Sequence, residues 1–492
     1  MIGGADLTVA YAALFIWVFV TLGFFLFLRP PVAAATGFLA GTMFLPAAVR
    51  FNPLIFPVLG KEEITSMCVL VATLVFASQQ LRRAQLGSGP EIMIGIAMIG
   101  SVLNVFTNMD AVRIGAVDVP GTTITDFGSN IIQLALRWGI PFFIGRAMFT
   151  RSRDGRSLLK VFTVAGLIYT LPILIELQIS PQLHKFLYGY HQHSFAQTLR
   201  PGGYRPMVFM VHGLNLTLFL VMTMTAATAL WRIKRMQLGA SLGPAAVFVG
   251  YGPAAGVLAV ILLACKSTGS ILYGLMIAPL VMFVSPNLQL RVACMLAIVV
   301  FTYPLLRSVD ALPYDAAIEM ALEYSGPKRA RSLSSRLYTE KSMIERIAER
   351  PILGWASAGR SAIRDPYTGE MTTVYDGFWV IVLAERGIVG YSMIFGMLLW
   401  PIFTAARARS KIRSRHDRVV LAALSLMIAI HVFDFLPNSP VEGYLTLMSG
   451  ALAGLVPGIL REQRHKDRQA DESREPLRGN DQARIASLLG PR

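Results

Sequence analysis

Apolar runs of about bilayer-crossing length recur along the whole chain, and they restrict its fold more than any other feature. They lie near residues 8–28, 31–49, 62–79, 91–107, 124–147, 158–178, 206–230, 244–264, 270–285, 292–307, 388–405, 419–437 and 443–460. A hydrocarbon core about 30 Å thick calls for roughly 17 to 25 apolar residues per helix. Backbone amides in lipid must find partners within their own segment, so each run reads as a helix. The expected fold class is an all-α polytopic membrane protein with about 12–13 transmembrane helices and one large periplasmic helical loop. Composition agrees, since 54% of the 492 residues are hydrophobic and only 15% charged, with a mean hydropathy of +0.55. Soluble domains carry about 25% charged residues. The first run, in MIGGADLTVAYAALFIWVFVTLGFFLFLRPP, lacks a basic leader and a small-residue cleavage site, so it reads as a retained helix.

The net charge of +16 is not gathered into a basic domain, which argues against nucleic acid as a partner. It sits in short loops after alternate helices: Arg82 and Arg83; Arg151, Arg153, Arg156 and Lys160; Arg232, Lys234 and Arg235; Arg291; and Arg407 to Arg418. The positive-inside rule makes those loops cytoplasmic. A multi-pass membrane protein, with membrane lipids as neighbours, is expected. Loops 108–123, 179–205, 265–269, 308–387 and 438–442 then face the periplasm. Four regions follow. Residues 1–307 carry helices 1–10, 308–387 form the loop domain with an interfacial helix, 388–460 carry helices 11–13, and 461–492 read as a disordered cytoplasmic tail. Within the loop domain nine Lys/Arg balance nine Asp/Glu over 308–375, and Leu337, Met343, Ile344 and Ile347 recur at helical spacing. An ordered domain is expected from that pattern. The spacing of small residues in GALAG, 450–454, suits close helix packing. Cys68, Cys265 and Cys294 read as small buried hydrophobes.

Candidate chemistry collects in the loops opposite the basic ones. Loop 179–205, ISPQLHKFLYGYHQHSFAQTLRPGGYR, ends with Arg200 and Arg205 at a helix mouth, and His212 falls about two turns into the run beginning near 206. Lys266, in CKSTGS, stands at another helix boundary. Cations gathered at one membrane face suit a diphosphate, because guanidinium and ammonium groups form charge-assisted hydrogen bonds to phosphate oxygens. The duller alternatives are snorkelling to lipid headgroups for the cations and an interhelical hydrogen bond for His212. Tyr188, Tyr190 and Phe195 read as interfacial belt residues or as platforms for a sugar face. His191 and His193 have no Cys or acid at ligand spacing, so no metal site and no cofactor are expected.

One further stretch, VYDGFWVIVLAERGIVGY at 374–391, places Asp376, Glu385 and Arg386 next to an apolar run. Charges at mid-bilayer cost roughly 2.5 to 3.5 kcal/mol on insertion scales. They are avoided if DGFWVIVLAER is an interfacial helix that Gly387 and Gly390 break from the following span. Asp376 then stands at a helix start, as a cap or as a functional carboxylate.

This combination resembles bacterial O-antigen ligases and Wzy-type polysaccharide polymerases, polytopic enzymes with one large periplasmic loop late in the chain. The matching pieces are Pro351-Ile-Leu-Gly354-Trp-Ala-Ser-Ala-Gly359-Arg360 and DGFWVIVLAERGIVG. Aligning Ala384-Glu385-Arg386-Gly387 with the family's "A-E-x-G" puts Asp376 where many members carry a histidine, a form similar to a subset of exopolysaccharide polymerases. The family's helix-start arginine falls on Arg205, and Lys266 stands near the position of a second arginine.

The resemblance implies a metal-independent glycosyltransferase. Its donor would be an oligosaccharide on undecaprenyl diphosphate, and a flippase and chain-length or export proteins would be partners. In that scheme Arg205, Arg200 and Lys266 bind diphosphate, and Asp376 with Arg205 is catalytic. His212, Trp355 and Trp379 contact substrate, while Glu385 and Arg386 pair to pin the interfacial helix. Two alternatives stand beside polymerisation: a ligase moving lipid-linked glycan to an acceptor, and a transporter or flippase. No repeat relates the halves and the ionisable residues cluster at one face, which disfavours a transporter.

Overall fold

The computed structural model describes residues 7–52, 57–84, 87–114, 117–238, 250–311, 313–372 and 375–488, with side chains as far as residue 469. Its helices, in chain order, are α1 (Thr8–Phe27), α2 (Pro30–Phe44), α3 (Lys61–Arg82) and α4 (Gly89–Phe106). Next, α5 (Ile124–Leu134) runs through a π-helical turn, Ala135–Gly139, into α6 (Ile140–Met148), and α7 (Ser152–Ile179) follows. Beyond a short α8 (Leu183–Tyr188) come α9 (Gly213–Leu238), α10 (Gly252–Ala264), α11 (Thr268–Phe283) and α12 (Pro286–Ser308). The loop domain supplies α13 (Tyr314–Ser325), α14 (Pro327–Ala348) and the one-turn α15 (Ala358–Ser361), and the chain closes with α16 (Phe378–Ala408), α17 (Arg415–Asp434) and α18 (Gly443–Leu488). The described strands form two small antiparallel hairpins, β1 (Val112–Ile114) with β2 (Val117–Val119) and β3 (Leu199–Arg200) with β4 (Gly203–Tyr204).

This is an all-α polytopic membrane protein. Among the described residues nine helices, α1, α3, α4, α7, α9, α12, α16, α17 and α18, are long and apolar enough to cross a bilayer. The remaining expected runs coincide with α2, the α5–α6 pair, α10 and α11, which are shorter or pass through the π-helical turn. The bundle has a clear inside: the apolar spanning stretches of α9, α17 and α18 are largely buried, whereas those of α1 and α4 stay mostly on the surface. Phe15, Phe19 and Phe27 of α1 are exposed, as side chains that meet lipid tails are.

Close backbone approach holds the centre together. On α18 a Cβ at Gly450, Gly454 or Gly458 would stand 2.0, 2.4 or 1.9 Å from the carbonyl oxygens of Phe142, Arg146 or Thr150. The four-residue spacing puts all three glycines on one helical face, so α6 lies directly against the α18 backbone.

Two boundaries differ from the sequence reading, and a third agrees in part. Helix α9 begins at Gly213 rather than near 206. The carboxylate of Glu176, fully buried on α7, accepts hydrogen bonds from the backbone N–H groups of Met207 and Val208, both at 2.8 Å, and holds that segment out of a helix. His212 therefore precedes α9 instead of lying two turns within it. The helix expected over 376–386 is broken from its span at Gly387, as the sequence suggested, where φ is +60°; the two pieces follow end to end as α16, and Gly390, the other expected breaker, stays helical. Past Arg461 the chain continues as helix where a disordered tail was expected, and an Arg413–Asp467 ion pair at 2.7 Å ties it to the α16–α17 turn.

Candidate functional site

The loop after α7 is built to be rigid. His184 accepts from the Ala47 N–H at 3.1 Å through Nε2, leaving Nδ1–H to donate to the Tyr190 carbonyl at 2.9 Å. Burial pushes the pKa of His184 down to about 4, so the ring is a neutral strut. The Tyr188 and Tyr190 hydroxyls donate to the carbonyls of Phe44 and Ala47 at 2.6 and 2.5 Å, which makes these tyrosines buried anchors and neither belt residues nor sugar platforms. Gln192 donates to the Val208 and Met210 carbonyls at 3.0 and 3.2 Å. Lys266, itself at φ +52°, donates from Nζ to the Pro201 and Gly202 carbonyls and clamps the β3–β4 turn. Its ammonium thus acts on the hairpin that carries Arg200 and does not line the cavity described next.

Arg200 and Arg205 leave this loop for a cavity of about 1210 Å³ at the loop end of the bundle. The Arg205 stem passes so close to the start of α9 that a Cβ at Gly213 would stand 2.3 Å from its Cδ. Its buried Nε has no hydrogen-bond partner, and among the described residues neither Arg200 nor Arg205 has a carboxylate within ion-pair distance. Burial first, and then Arg200, lowers the Arg205 pKa to about 10, which still leaves it charged at neutral pH. His212 stands beside them. Its Nδ1 accepts from the Leu214 N–H at 3.0 Å, so the proton sits on Nε2 and is donated to Gln197 Oε1 at 3.1 Å. Burial, together with His193, Arg205 and Arg200, pushes the His212 pKa down to about 4.

Carboxylates reach the same cavity from the start of α16 and the end of α17. Asp376 lies just before the Gly377 N-cap and makes no capping hydrogen bond; it pairs with Arg336 of α14 at 3.1 Å. Asp434, the last residue of α17, accepts from the Tyr273 hydroxyl at 3.1 Å and from Asn438 at 2.9 Å. The two helix ends are stitched together by the Phe378 N–H, which donates to the Asn438 carbonyl at 2.9 Å. From a third side the π-helical turn turns Arg137 towards the cavity, ion-paired to the buried Glu63. Such turns recur at functional sites.

Behind this wall the two halves of the sequence motif meet. Trp355 and Ala356 donate through their N–H groups to the carbonyls of Ala384 and Glu385 at 2.8 and 2.9 Å, while Ile388 and Val389 donate to those of Pro351 and Ile352 at 2.8 and 3.2 Å. The bend at Gly387 frees these α16 groups, and segment 351–356 satisfies them. A Cβ at Gly387 would be 2.3 Å from the Ile352 oxygen, and one at Gly354, φ +79°, would be 2.6 Å from the Arg386 nitrogen. Asn104 of α4 donates to the Leu353 and Glu385 carbonyls, and Asn108 donates to the Gly354 carbonyl at 3.0 Å. Arg386 donates to the Ser101 hydroxyl at 2.8 Å instead of closing an ion pair with Glu385.

Of the expected site residues, Asp376, Arg205, Arg200 and His212 share the cavity, where Glu385 and Arg386 join them, and Lys266, Trp355 and Trp379 stand outside it. Both tryptophans are buried. Trp355 donates to the Arg346 carbonyl at 3.0 Å under the Arg346 guanidinium, 3.5 Å from the ring centre, and Trp379 packs edge-on against Tyr303. Neither presents a face to a sugar. Asp434, Tyr273 and Arg137 were missed from the sequence, although an ionisable residue in an apolar run, as in LALRWGI and HVFDFLP, is the signal that marks such positions. Among the described residues no group of three His, Cys, Asp or Glu side chains is placed to hold a metal ion. Comparison with protein-family models and with curated proteins finds no match to this chain.

Proposed function

We propose that this protein is a membrane glycosyltransferase that polymerises undecaprenyl-diphosphate-linked repeat units into an exopolysaccharide or O-antigen at the periplasmic face of the bacterial inner membrane. The observation that carries the reading is the meeting, in one cavity, of Arg200 and Arg205, which have no protein carboxylate within ion-pair distance, with the acidic side chains Asp376, Glu385 and Asp434. Both guanidiniums are half-buried; a partly desolvated cation without a counter-charge is costly, and an anionic ligand relieves that cost. In the proposed step a hydroxyl oxygen of one repeat unit attacks the anomeric carbon of another. The bond from that carbon to the diphosphate oxygen breaks, and the diphosphate leaves with the electron pair. Arg205 and Arg200 stabilise the negative charge that develops there. Asp376 takes the hydroxyl proton once the contact with Arg336 opens, and it must come within hydrogen-bond reach of that oxygen. Lys266 supports this by fixing the hairpin of Arg200. No metal or cofactor is invoked, and a flippase and chain-length or export proteins would supply substrate and receive product.

The decisive experiment gives purified, reconstituted protein a diphosphate-linked repeat unit and looks for a ladder of products on a gel. Wild type should make the ladder, and Asp376→Asn should lose roughly a hundredfold or more in rate, the lower end of what a positioned base contributes. Unchanged substrate with wild type sinks the reading. In cells, single repeats accumulating in a loss-of-function variant mark a polymerase, whereas full-length lipid-linked polymer that never reaches its acceptor marks the ligase alternative.

A further inference from the structure

A second concavity, of about 680 Å³, opens at the opposite end of α7 from the large cavity. Three segments far apart in sequence build it: the end of α3, the start of α7, and the turns of α18 around Gly454 and Gly458, where contact with the Arg146 and Thr150 carbonyls brings the backbones together. It is lined by Arg83, Arg151, Arg153, Arg156, Arg461 and Lys466.

The acids nearby are already engaged. Asp154 accepts from the Arg151 N–H at 3.0 Å and pairs with Arg153 at 3.7 Å, Glu91 pairs with Arg146 at 2.6 Å, and Asp417 accepts from the Ser152 hydroxyl. Glu462 accepts from the Ser152 N–H at 3.2 Å and pairs with Lys466 at 3.6 Å. Among the described residues Arg83, Arg151, Arg156 and Arg461 therefore face one concavity with no carboxylate within ion-pair distance.

From this we propose that the cleft between α3, α7 and α18 is a binding site for a phosphate-bearing anion. Planar guanidiniums converging from three directions match the several oxygens of a phosphate group and bind them through charge-assisted, often paired, hydrogen bonds. A volume of this size lies within the range of about 300 to 1,000 Å³ usual for small-ligand sites. The cleft lies at the ends of spanning helices, the depth at which headgroup phosphates stand, and basic pockets between helices there bind anionic headgroups. The same chemistry would take a soluble diphosphate. The site is independent of the function proposed above.

The test uses the full chain. Reconstituted in nanodiscs of phosphatidylcholine and phosphatidylglycerol, then partly delipidated, the protein is weighed by native mass spectrometry for retained lipid. In parallel its melting is followed in lipid-free detergent with inorganic pyrophosphate. Arg151→Gln with Arg461→Gln should cut retained phosphatidylglycerol, or the pyrophosphate response, at least fivefold. A control that removes the same charge outside the cleft, Arg82→Gln with Arg407→Gln, should not. Arg156→Gln alone carries the same expectation should the double variant fail to fold. Phosphatidylglycerol retention that the cleft variant loses identifies a lipid headgroup, a saturable rise in melting with pyrophosphate that the cleft variant loses identifies a soluble ligand, and a pyrophosphate response that the cleft variant keeps in full, with no lipid retained, belongs to the large cavity and overturns the proposal. Equal losses in both charge pairs, or neither retention nor response in wild type, overturns the proposal.

Discussion

The bent start of α16 and the loop before α9 both reach the large cavity, and they are built in opposite ways. At the bend, polar groups are paired inside the protein: four backbone hydrogen bonds join 351–356 to 384–389, and Asn104 and Asn108 add more. The loop before α9 is pinned just as firmly by Glu176, His184 and Gln192, yet it delivers two guanidiniums with no protein counter-charge. The bend is thus a joint, and its glycines serve packing. The loop is a rigid mount for charge, which is how a site holds donors ready for a developing anion. The more recognisable sequence motif builds the joint, although its Glu385 and Arg386 also line the cavity, and the proposed chemistry rests on the guanidiniums that the loop holds without a counter-charge.

The largest expected effect tests the mount. Arg205→Ala should lower the rate of glycan transfer on the order of a hundredfold to a thousandfold, while the melting temperature stays level or rises because a half-buried charge without a counter-ion has gone. Arg205→Lys keeps the charge but not the guanidinium fork, and should fall between. A variant that melts early yet retains wild-type rate per folded molecule would show that Arg205 is structural, and the contrast would collapse.

The joint should respond in the other way. Gly387→Ala meets both a positive φ and the Ile352 oxygen 2.3 Å from the new Cβ. More than about 1 kcal/mol of destabilisation is expected from such a conformation, read as a drop in melting temperature and in yield. Pyrophosphate binding by the fraction that folds should be unchanged. Gly354→Ala, on the opposing segment of the joint, should behave alike, and the two losses should be less than additive because they strain one contact.

Helix positions were legible in the sequence because a spanning segment carries its own signal, a long apolar run whose hydrogen bonds are all local. Gly387 was legible as a break for the same local reason. What escaped depends on partners distant in the chain. The segment 206–212 is apolar enough to read as helix, and only Glu176, about thirty residues earlier, holds it open. Trp355 and Trp379 looked like sugar platforms because aromatic identity says nothing about burial, which Arg346 and Tyr303 decide. Lys266 was placed among the right neighbours but with the wrong task, since its bond to the β3–β4 turn forms only in the fold. Arg137 and Asp434 carried a readable signal, an ionisable group in an apolar run, and the cavity shows what that signal meant.

The smallest expected effect concerns pH. His212 has its pKa pushed from 6.5 to about 4 by burial and by the neighbouring His193, Arg205 and Arg200, so the folded protein keeps the ring neutral where the unfolded chain would protonate it. A depressed folded pKa contributes stability that is present above about 6.5 and is lost as pH falls towards 4. Wild-type melting temperature should therefore decline over that window. His212→Gln keeps an acceptor for the Leu214 N–H and a donor for Gln197 but cannot protonate, so its decline should be shallower. It should not be flat, because His184 is held neutral in the same way and contributes over the same range. Parallel curves for variant and wild type would mean that His212 titrates as a solvent-facing group. The arginines would then stand in water rather than in a site that strengthens their charge, and the mount would lose what distinguishes it from the joint.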